Sequence, residues 1–324
     1  YFRETDYGEF NVANYLTNSN GLGVQFGYPI SDITRLNFNL TYDKTDIDIG
    51  TLPAREIYDF VAAEGNVFET LSLGFTWQRV TLNRGLFPTD GSSTSFTLTS
   101  TIPGSDINYY RANIRQRFYQ PLSSQLVFGF QGELGYLDAY GETDETPFFQ
   151  NFYAGGPRSL RGFESNTLGP RSTNAPCYEF NYDDGTCPNL IDTDGDGELD
   201  SPYYNPYATT NEYSSRSRYR DPPIGGNIKI EGSLQLIFRL PFIEDQRSLR
   251  SAFFFDFGNV FSDNCKEYQF NCYKPSIDDL RYSYGVGVTW ITGFGPMSLA
   301  IAKPTNAGPQ ERTEEFQFTV GNVF

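Results

Sequence analysis

The stretch RYSYGVGVTW, from Arg281 to Trp290, alternates between two kinds of side chain without interruption. After Arg281, one set of positions holds only serine, glycine and threonine. The other set holds large apolar side chains: Tyr282, Tyr284, Val286, Val288 and Trp290. A period of two residues is that of a β-strand, because successive side chains of a strand point to opposite faces. The stretch therefore predicts a strand with one apolar face and one small, polar face.

The same period recurs along the chain and predicts about twelve strands, most of them ten or more residues long. They cover residues 1–7, 22–30, 33–46, 67–80, 92–102, 109–120, 126–137, 227–240, 248–261, 280–291, 297–303 and 315–324. The short connections between them are 121–123, 241–246 and 293–295. The longer, polar connections are 47–66, 81–90, 103–108, 139–225, 262–279 and 304–313. Short turns at one end and long loops at the other are typical of outer-membrane barrels.

The composition of the two faces favours a membrane barrel. The chain has no run of apolar residues long enough for a transmembrane helix, and its mean hydropathy is −0.46. A transmembrane barrel also averages polar, since only half of each strand faces lipid. The alternative, a soluble β-sandwich or jelly roll, would bury the apolar face. A face rich in Phe and Tyr opposite a small, polar one suits lipid outside and a wet lumen inside, so we expect an all-β, transmembrane antiparallel barrel.

Charge and composition exclude several functions. The net charge of −16 argues against nucleic acid, whose phosphates attract Lys and Arg. The chain has no histidine, which removes Ser-His and Cys-His catalysis and His-ligated metals. Any enzyme would depend on carboxylates alone, and we do not expect this protein to be an enzyme.

Four cysteines form two close pairs in polar, turn-rich segments: Cys177 with Cys187, and Cys265 with Cys272. Neither pair has the spacing or the neighbouring histidine of a zinc site. Two local disulfides in an oxidising compartment are predicted, and four free thiols in a reducing cytosol are the alternative.

An acidic segment in the longest connection, DTDGDGELD, matches part of a calcium-binding loop. The candidate ligands are Asp192, Asp194, Asp196, the carbonyl of Glu198 and, in part, Asp200. The acid at the twelfth position is missing, because Tyr203 falls there. A structural Ca²⁺ and an empty acidic turn both remain open, and no other cofactor is expected.

The segment 139–225 shows no sustained period, so it is either functional or disordered. It contains FYAGGPRSLRGF, and FFFDFGNV follows later in the chain. These two sequences resemble motifs of the Omp85 superfamily: an Arg-Gly-aromatic tripeptide at the tip of the sixth extracellular loop, and F-x-D-x-G on a later strand. The matching residues are Arg161, Gly162, Phe163, Phe254, Asp256 and Gly258. LFPTDG at 86–91, TIPGSDINYY at 101–110 and the closing EEFQFTVGNVF extend the resemblance over most of the chain.

The resemblance implies that residues 1–324 are an outer-membrane barrel domain and that 139–225 is an extracellular loop folded into its lumen. The resemblance also implies a barrel of sixteen strands, more than the twelve predicted here. The chain would then begin near the end of the fifth strand, and we expect it to be incomplete at its N-terminus, without the first gate strand and the periplasmic POTRA domains. The alternative is a truncated barrel, natural or engineered, that closes with fewer strands.

An ion pair between Arg161 and Asp256 is expected to hold that loop. Asp256 alternates with Phe253, Phe255 and Phe257, so its carboxylate faces the lumen if those rings face lipid. An arginine on a loop folded back inside the barrel would meet the carboxylate bidentately. The alternative is an exposed loop arginine and an aspartate that only lines the lumen.

The resemblance also indicates a second lumen contact and a gate. Family members often place a glutamate on the strand after the loop, where this chain has Gln235, with Glu231 on the same face. The last strand would form a lateral gate and carry the C-terminal assembly signal; an ordinary edge strand is the alternative. Its residues of interest are Phe316, Phe318, Val320, Gly321, where the strand would kink, and Phe324.

The function implied by the resemblance is that of an insertase, which folds β-barrel proteins into the bacterial outer membrane as the core of the barrel-assembly machinery. The expected partners are outer-membrane lipid and lipopolysaccharide, unfolded barrel clients, and the lipoproteins of that machinery bound through POTRA domains. No nucleic acid is expected. The alternatives are a polypeptide-secreting transporter of the same superfamily and a passive porin.

Overall fold

The computed structural model describes residues 2–6, 15–49, 54–172, 222–240, 243, 248–266, 269, 272–293, 295–308 and 311–321. The predicted calcium ligands, Cys177, Cys187 and Phe324 lie outside these ranges.

Twelve strands form one antiparallel sheet in which each strand pairs with its neighbours in sequence. Two further strands, β8 and β13, pair only with each other. The strands are β1 (Phe2–Asp6), β2 (Tyr15–Ser31), β3 (Thr34–Ile49), β4 (Val67–Val80), β5 (Gly91–Thr101), β6 (Tyr109–Pro121), β7 (Leu126–Ala139), β8 (Gly162–Phe163), β9 (Ile228–Phe238), β10 (Leu249–Phe261), β11 (Arg281–Thr292), β12 (Gly295–Pro304), β13 (Thr313–Glu314) and β14 (Phe316–Val320). Within the described residues, no backbone pairing joins β1 to β14.

The alternation of side chains along the strands separates a lipid face from a lumen face, as the sequence predicts. On β10, Phe253 is 52% exposed and Phe255 is also exposed, whereas Phe254 and Asp256 are buried. The same division runs across the sheet, where large apolar side chains dominate the exposed face. The prediction of an all-β antiparallel barrel is therefore confirmed.

The connections sort by length as expected, with one exception. Strand parity places the connection at 81–90 at the same end as the short turns and not with the long loops. The prediction that grouped it with the long loops is therefore wrong. This ten-residue connection is ordered by its own side chains: Asn83 Oδ1 accepts hydrogen bonds from the N–H groups of Thr89 and Asp90. A long turn can thus occur at the short-turn end when it folds on itself.

The long-loop end contains structure that the period of two does not predict. An α-helix, α1 (Arg55–Glu64), lies between β3 and β4, and a 3-10 helix covers Phe148–Gln150. None of the described helices has the length and apolar character needed to cross a membrane. The described parts of the long connection between β7 and β9 also bridge to each other, at Phe152 with Gly226 and at Arg171 with Pro223.

An apolar core fills the long-loop end of the barrel. Phe60 of α1 packs edge-on against Phe148 of the loop with ring centroids 5.3 Å apart, and Tyr15 of β2 packs against the same ring at 4.8 Å. The loop also contributes Phe152, Leu160, Phe163, Leu168 and Ile224 to this core. Burial of so many large side chains makes the described part of the loop a folded plug.

Candidate functional site

The loop tip brings Arg161 onto Asp256 of β10. Two side-chain hydrogen bonds join them, from Arg161 Nε to Oδ2 and from Nη2 to Oδ1, both 2.7 Å long. The backbone N–H of Arg161 donates a third to Oδ2 at 3.2 Å. The carboxylate is 0% exposed, so this bidentate, charge-assisted pair is shielded from water.

Neighbouring groups hold the guanidinium on its remaining sides. Its central carbon lies 3.5 Å from the ring centroid of Phe254, a cation–π contact. Arg161 Nη2 also donates to Ser233 Oγ on β9 at 3.0 Å. The phenylalanine and the aspartate of the F-x-D-x-G motif therefore both bind the same arginine.

The glycines of the two motifs allow their backbones to lie close to neighbouring strands. Gly162 has a φ of +89°, and a Cβ there would lie 3.2 Å from Ala302 Cβ. A Cβ on Gly258 would lie 2.5 Å from the carbonyl oxygen of Ile230 on β9. Phe163 completes the tripeptide by burying its ring in the apolar core. Arg161, Asp256 and Phe254 thus form the contact itself, and the remaining motif residues pack around it or in the adjoining core.

The two residues predicted as second lumen contacts, Glu231 and Gln235, do not bond directly to Arg161 in the described structure. Glu231 accepts a hydrogen bond from Ser159 Oγ of the loop and pairs with Lys229 Nζ at 3.0 Å. Gln235 reaches the arginine only indirectly, because its Nε2 donates to Ser233 Oγ at 3.3 Å. Sequence reasoning missed Ser159 and Ser233, although Ser233 lies directly opposite Asp256 in the β9–β10 register.

The last described strand, β14, has an apolar outer face made of Phe316, Phe318 and Val320. It pairs with β12 over five residue pairs, and Gly321 follows with a φ of +101°. The Gly321 N–H donates to the carbonyl oxygen of Pro296 at 2.9 Å. The described part of β14 therefore ends at the glycine.

The loop tip is also bound to β14, through a residue that sequence reasoning missed. Gln317 is 2% exposed, and its Nε2 donates to the carbonyl oxygen of Phe163 at 2.7 Å. Its Oε1 accepts from the Gly162 N–H at 3.3 Å. The alternation of Gln317 with Phe316 and Phe318 could have placed it in the lumen, but no sequence pattern gives its partner.

Of the cysteines, Cys265 and Cys272 form the predicted disulfide in the connection between β10 and β11. The pairing of Cys177 with Cys187 stays a prediction, as does calcium binding. Among the described residues, no group of three His, Cys, Asp or Glu side chains is placed to hold a metal ion.

A lipid-faced antiparallel barrel, with a loop fixed in its lumen by Arg-Gly-Phe and F-x-D-x-G, defines a class of outer-membrane barrel protein. The family model described as "Omp85 superfamily domain" matches residues 1–324. The chain belongs to the Omp85 superfamily.

Three known proteins are similar to this chain over most of its length. The chain is 29% identical over 338 residues to the outer membrane protein assembly factor BamA of Neisseria meningitidis, a match that covers 97% of this chain and 37% of that protein. The crystal structure of BamA from Haemophilus ducreyi lacking POTRA domains 1-3 matches with a TM-score of 0.75 and 26% identity, over 98% of this chain and 56% of the other. CdiB from Escherichia coli shares the fold alone, with a TM-score of 0.51 and 9% identity over 94% of this chain and 45% of CdiB. The chain spans less than two thirds of the length of each of these proteins. Its family and its similarity to BamA make it a protein of the bacterial outer membrane.

Proposed function

We propose that this domain is the barrel of an outer-membrane protein assembly factor, which folds and inserts β-barrel clients by pairing their strands with the edge of β14. The similarity to a relative named as an outer membrane protein assembly factor supports this function. The arrangement of β14 supports the mechanism.

The observation that carries the proposal is that β14 is the last strand of the described sheet and that its described pairing is short. Over the residues that the structure describes, β14 makes five residue pairs with β12, whereas β12 makes ten with β11. Gly321 ends the strand in a left-handed conformation, and glycine weakens a strand. Within the described residues, no strand pairs with the outer edge of β14. An unpaired edge offers N–H and C=O groups that can template another strand.

The loop contact supports this edge and performs no chemistry. Arg161, Asp256 and Phe254 fix the tip inside the barrel, beside the start of β14. The proposed activity makes backbone hydrogen bonds and breaks no covalent bond, so it requires neither an enzyme's catalytic groups nor a cofactor. The proposed partners are unfolded barrel clients, the surrounding lipid and lipopolysaccharide, and lipoproteins that bind through POTRA domains.

Reconstitution of the intact protein into lipid vesicles tests the proposal. We expect it to accelerate the folding of an added unfolded barrel protein, measured by the gel-mobility shift of the folded client. Vesicles without the protein are the blank. If the client folds no faster while an unfolded chain crosses the membrane, the protein is a secretion transporter. If only small solutes cross, it is a porin.

A matched pair of glycine variants tests the role of the strand end. A Cβ added at Gly321 or at Gly293 meets no atom within 4 Å, but only Gly321 has a left-handed φ. Gly321→Ala should therefore slow client folding by about tenfold, because an alanine disfavours this conformation by roughly 1–2 kcal/mol. Gly293→Ala should leave the rate unchanged. Equal rates for the two variants would contradict the proposed use of this end.

A further inference from the structure

Gln317 joins the loop tip to the last strand through two backbone groups of adjacent residues. Its carboxamide accepts from the Gly162 N–H and donates to the Phe163 carbonyl oxygen. Both loop residues follow Arg161 directly, so the side chain bound by Asp256 and the backbone bound by Gln317 belong to one rigid turn. Displacement of Arg161 would move both partners of Gln317 together.

Further contacts tie the same turn to the chain that leads into β14. β8 pairs with β13, with Phe163 opposite Thr313 and Gly162 opposite Glu314. One residue further on, the Glu164 N–H donates to the carbonyl oxygen of Arg312 at 3.0 Å. These contacts reach only the segment before β14. Among the described residues, Gln317 is the member of β14 whose side chain is hydrogen-bonded to the loop tip.

We propose that Gln317 is a positioning residue that couples the seating of the loop tip to the pairing of β14 with β12. While Arg161 is held by Asp256, the carboxamide keeps the inner face of β14 attached to the turn. When the tip withdraws, both hydrogen bonds are lost, and among the described contacts β14 keeps its backbone pairing with β12. The inference rests on the proposed function in one respect, since a loosened β14 matters for clients only if clients pair with it.

Amide hydrogen exchange across Phe316–Val320 tests the coupling in the intact protein, in vesicles and without any client. Arg161→Ala should raise the exchange rate of these amides about tenfold, the effect of losing two ordinary hydrogen bonds. Gln317→Leu should raise it by the same factor. In the double variant, Arg161→Ala should add nothing further, because the connection is already broken.

The control is Thr319→Val, a nearly isosteric change on the same face of the same strand that leaves Gln317 in place. It should leave the response to Arg161→Ala intact. Should Gln317→Leu fail to fold, Gln317→Glu takes its place: this carboxylate has the same size but cannot donate to the Phe163 carbonyl, and it should weaken the response. A response to Arg161→Ala that is the same with and without Gln317, or no response at all, would overturn the proposal.

The exchange measurement contains no client, so it separates this inference from the proposed function. A protein that inserts no client can still show the coupling, in which case the function fails and the link between loop and strand remains. A protein that inserts clients but shows no coupling keeps its function and loses the assigned role of Gln317.

Discussion

Arg161 is held by more groups than a single ion pair requires, since Asp256, Phe254 and Ser233 all contact its guanidinium. Removal of one charge would leave the other buried without compensation. We expect Arg161→Ala and Asp256→Ala each to lower the free energy of unfolding by about 3–5 kcal/mol. Urea titration in lipid vesicles, followed by heat-modifiable gel mobility, measures it.

The double variant and an exposed arginine complete this test. Together, the two substitutions should cost clearly less than their sum, because the second removes a charge already orphaned. Arg115, which pairs with Glu133 and is 66% exposed, is the control, and Arg115→Ala should change stability by less than about 1 kcal/mol. Strict additivity would show that the contact between Arg161 and Asp256 carries no coupling energy.

At Gly162, the addition of a single Cβ atom should lower the stability of the protein. Gly162→Ala places a Cβ in a left-handed backbone conformation and against Ala302. We expect a loss of roughly 1–2 kcal/mol from the backbone alone, measured by the same urea titration. Gly85→Ala is the matched control, because its Cβ meets no atom within 4 Å. An equal effect at both glycines would mean that the tip does not need this conformation.

Sequence reasoning reached the charged partners of the site and missed the neutral ones. Arg161 and Asp256 could be predicted because charges on a lumen face require partners and because both lie in motifs. Ser159, Ser233 and Gln317 carry no such signal, since a serine or glutamine on a lumen face satisfies its hydrogen bonds in many ways, including with water. Their roles depend on the fold of the loop, which the period of two does not describe.

At the scale of the element, the disulfide-closed connection between β10 and β11 invites a test. A bond between Cys265 and Cys272 closes a short loop, and loss of it should weaken this connection by about 2–3 kcal/mol. In Cys265→Ser/Cys272→Ser, the hydrogen bond from the Ser262 N–H to the Tyr273 carbonyl, 2.8 Å long, should open more often. Hydrogen exchange at Ser262 measures this.

The control for that experiment lies at the other end of the same hairpin. Amides of Trp290 and Ile291, which pair near the short turn, should exchange at the same rate with and without the disulfide. Faster exchange there as well would mean that the bond supports the whole hairpin.

Strands were predictable here because one face meets lipid and the other a polar lumen, which enforces the period of two. Helix α1 was not predicted, because its buried residues Ile57 and Phe60 pack into a core inside the barrel. A search for alternating residues does not detect this packing. The end at which 81–90 lies could have been found by counting strands, since strand parity fixes it regardless of loop length. The length and polarity of this connection were a poorer guide to its end of the barrel than the strand count.

For the molecule as a whole, exposure alone does not distinguish lipid from water, and a pair of lysine substitutions can. Phe255 lies in the middle of β10, and Ile277, 78% exposed, lies in the connection that follows. Phe255→Lys should cost about 2–4 kcal/mol in vesicles, as expected for a lysine near the middle of a bilayer. Ile277→Lys should be nearly neutral. Equal costs would contradict the assignment of this face to lipid.

The apolar core at the long-loop end has an electrical consequence. Ions cross a pore only along continuous water, and rings such as Phe60, Phe148 and Phe163 occupy this end of the barrel. We therefore expect the domain to pass little current in a planar bilayer, far less than an open channel of similar width. The contact that seats the loop would then also insulate the membrane, and Arg161→Ala should admit brief bursts of current.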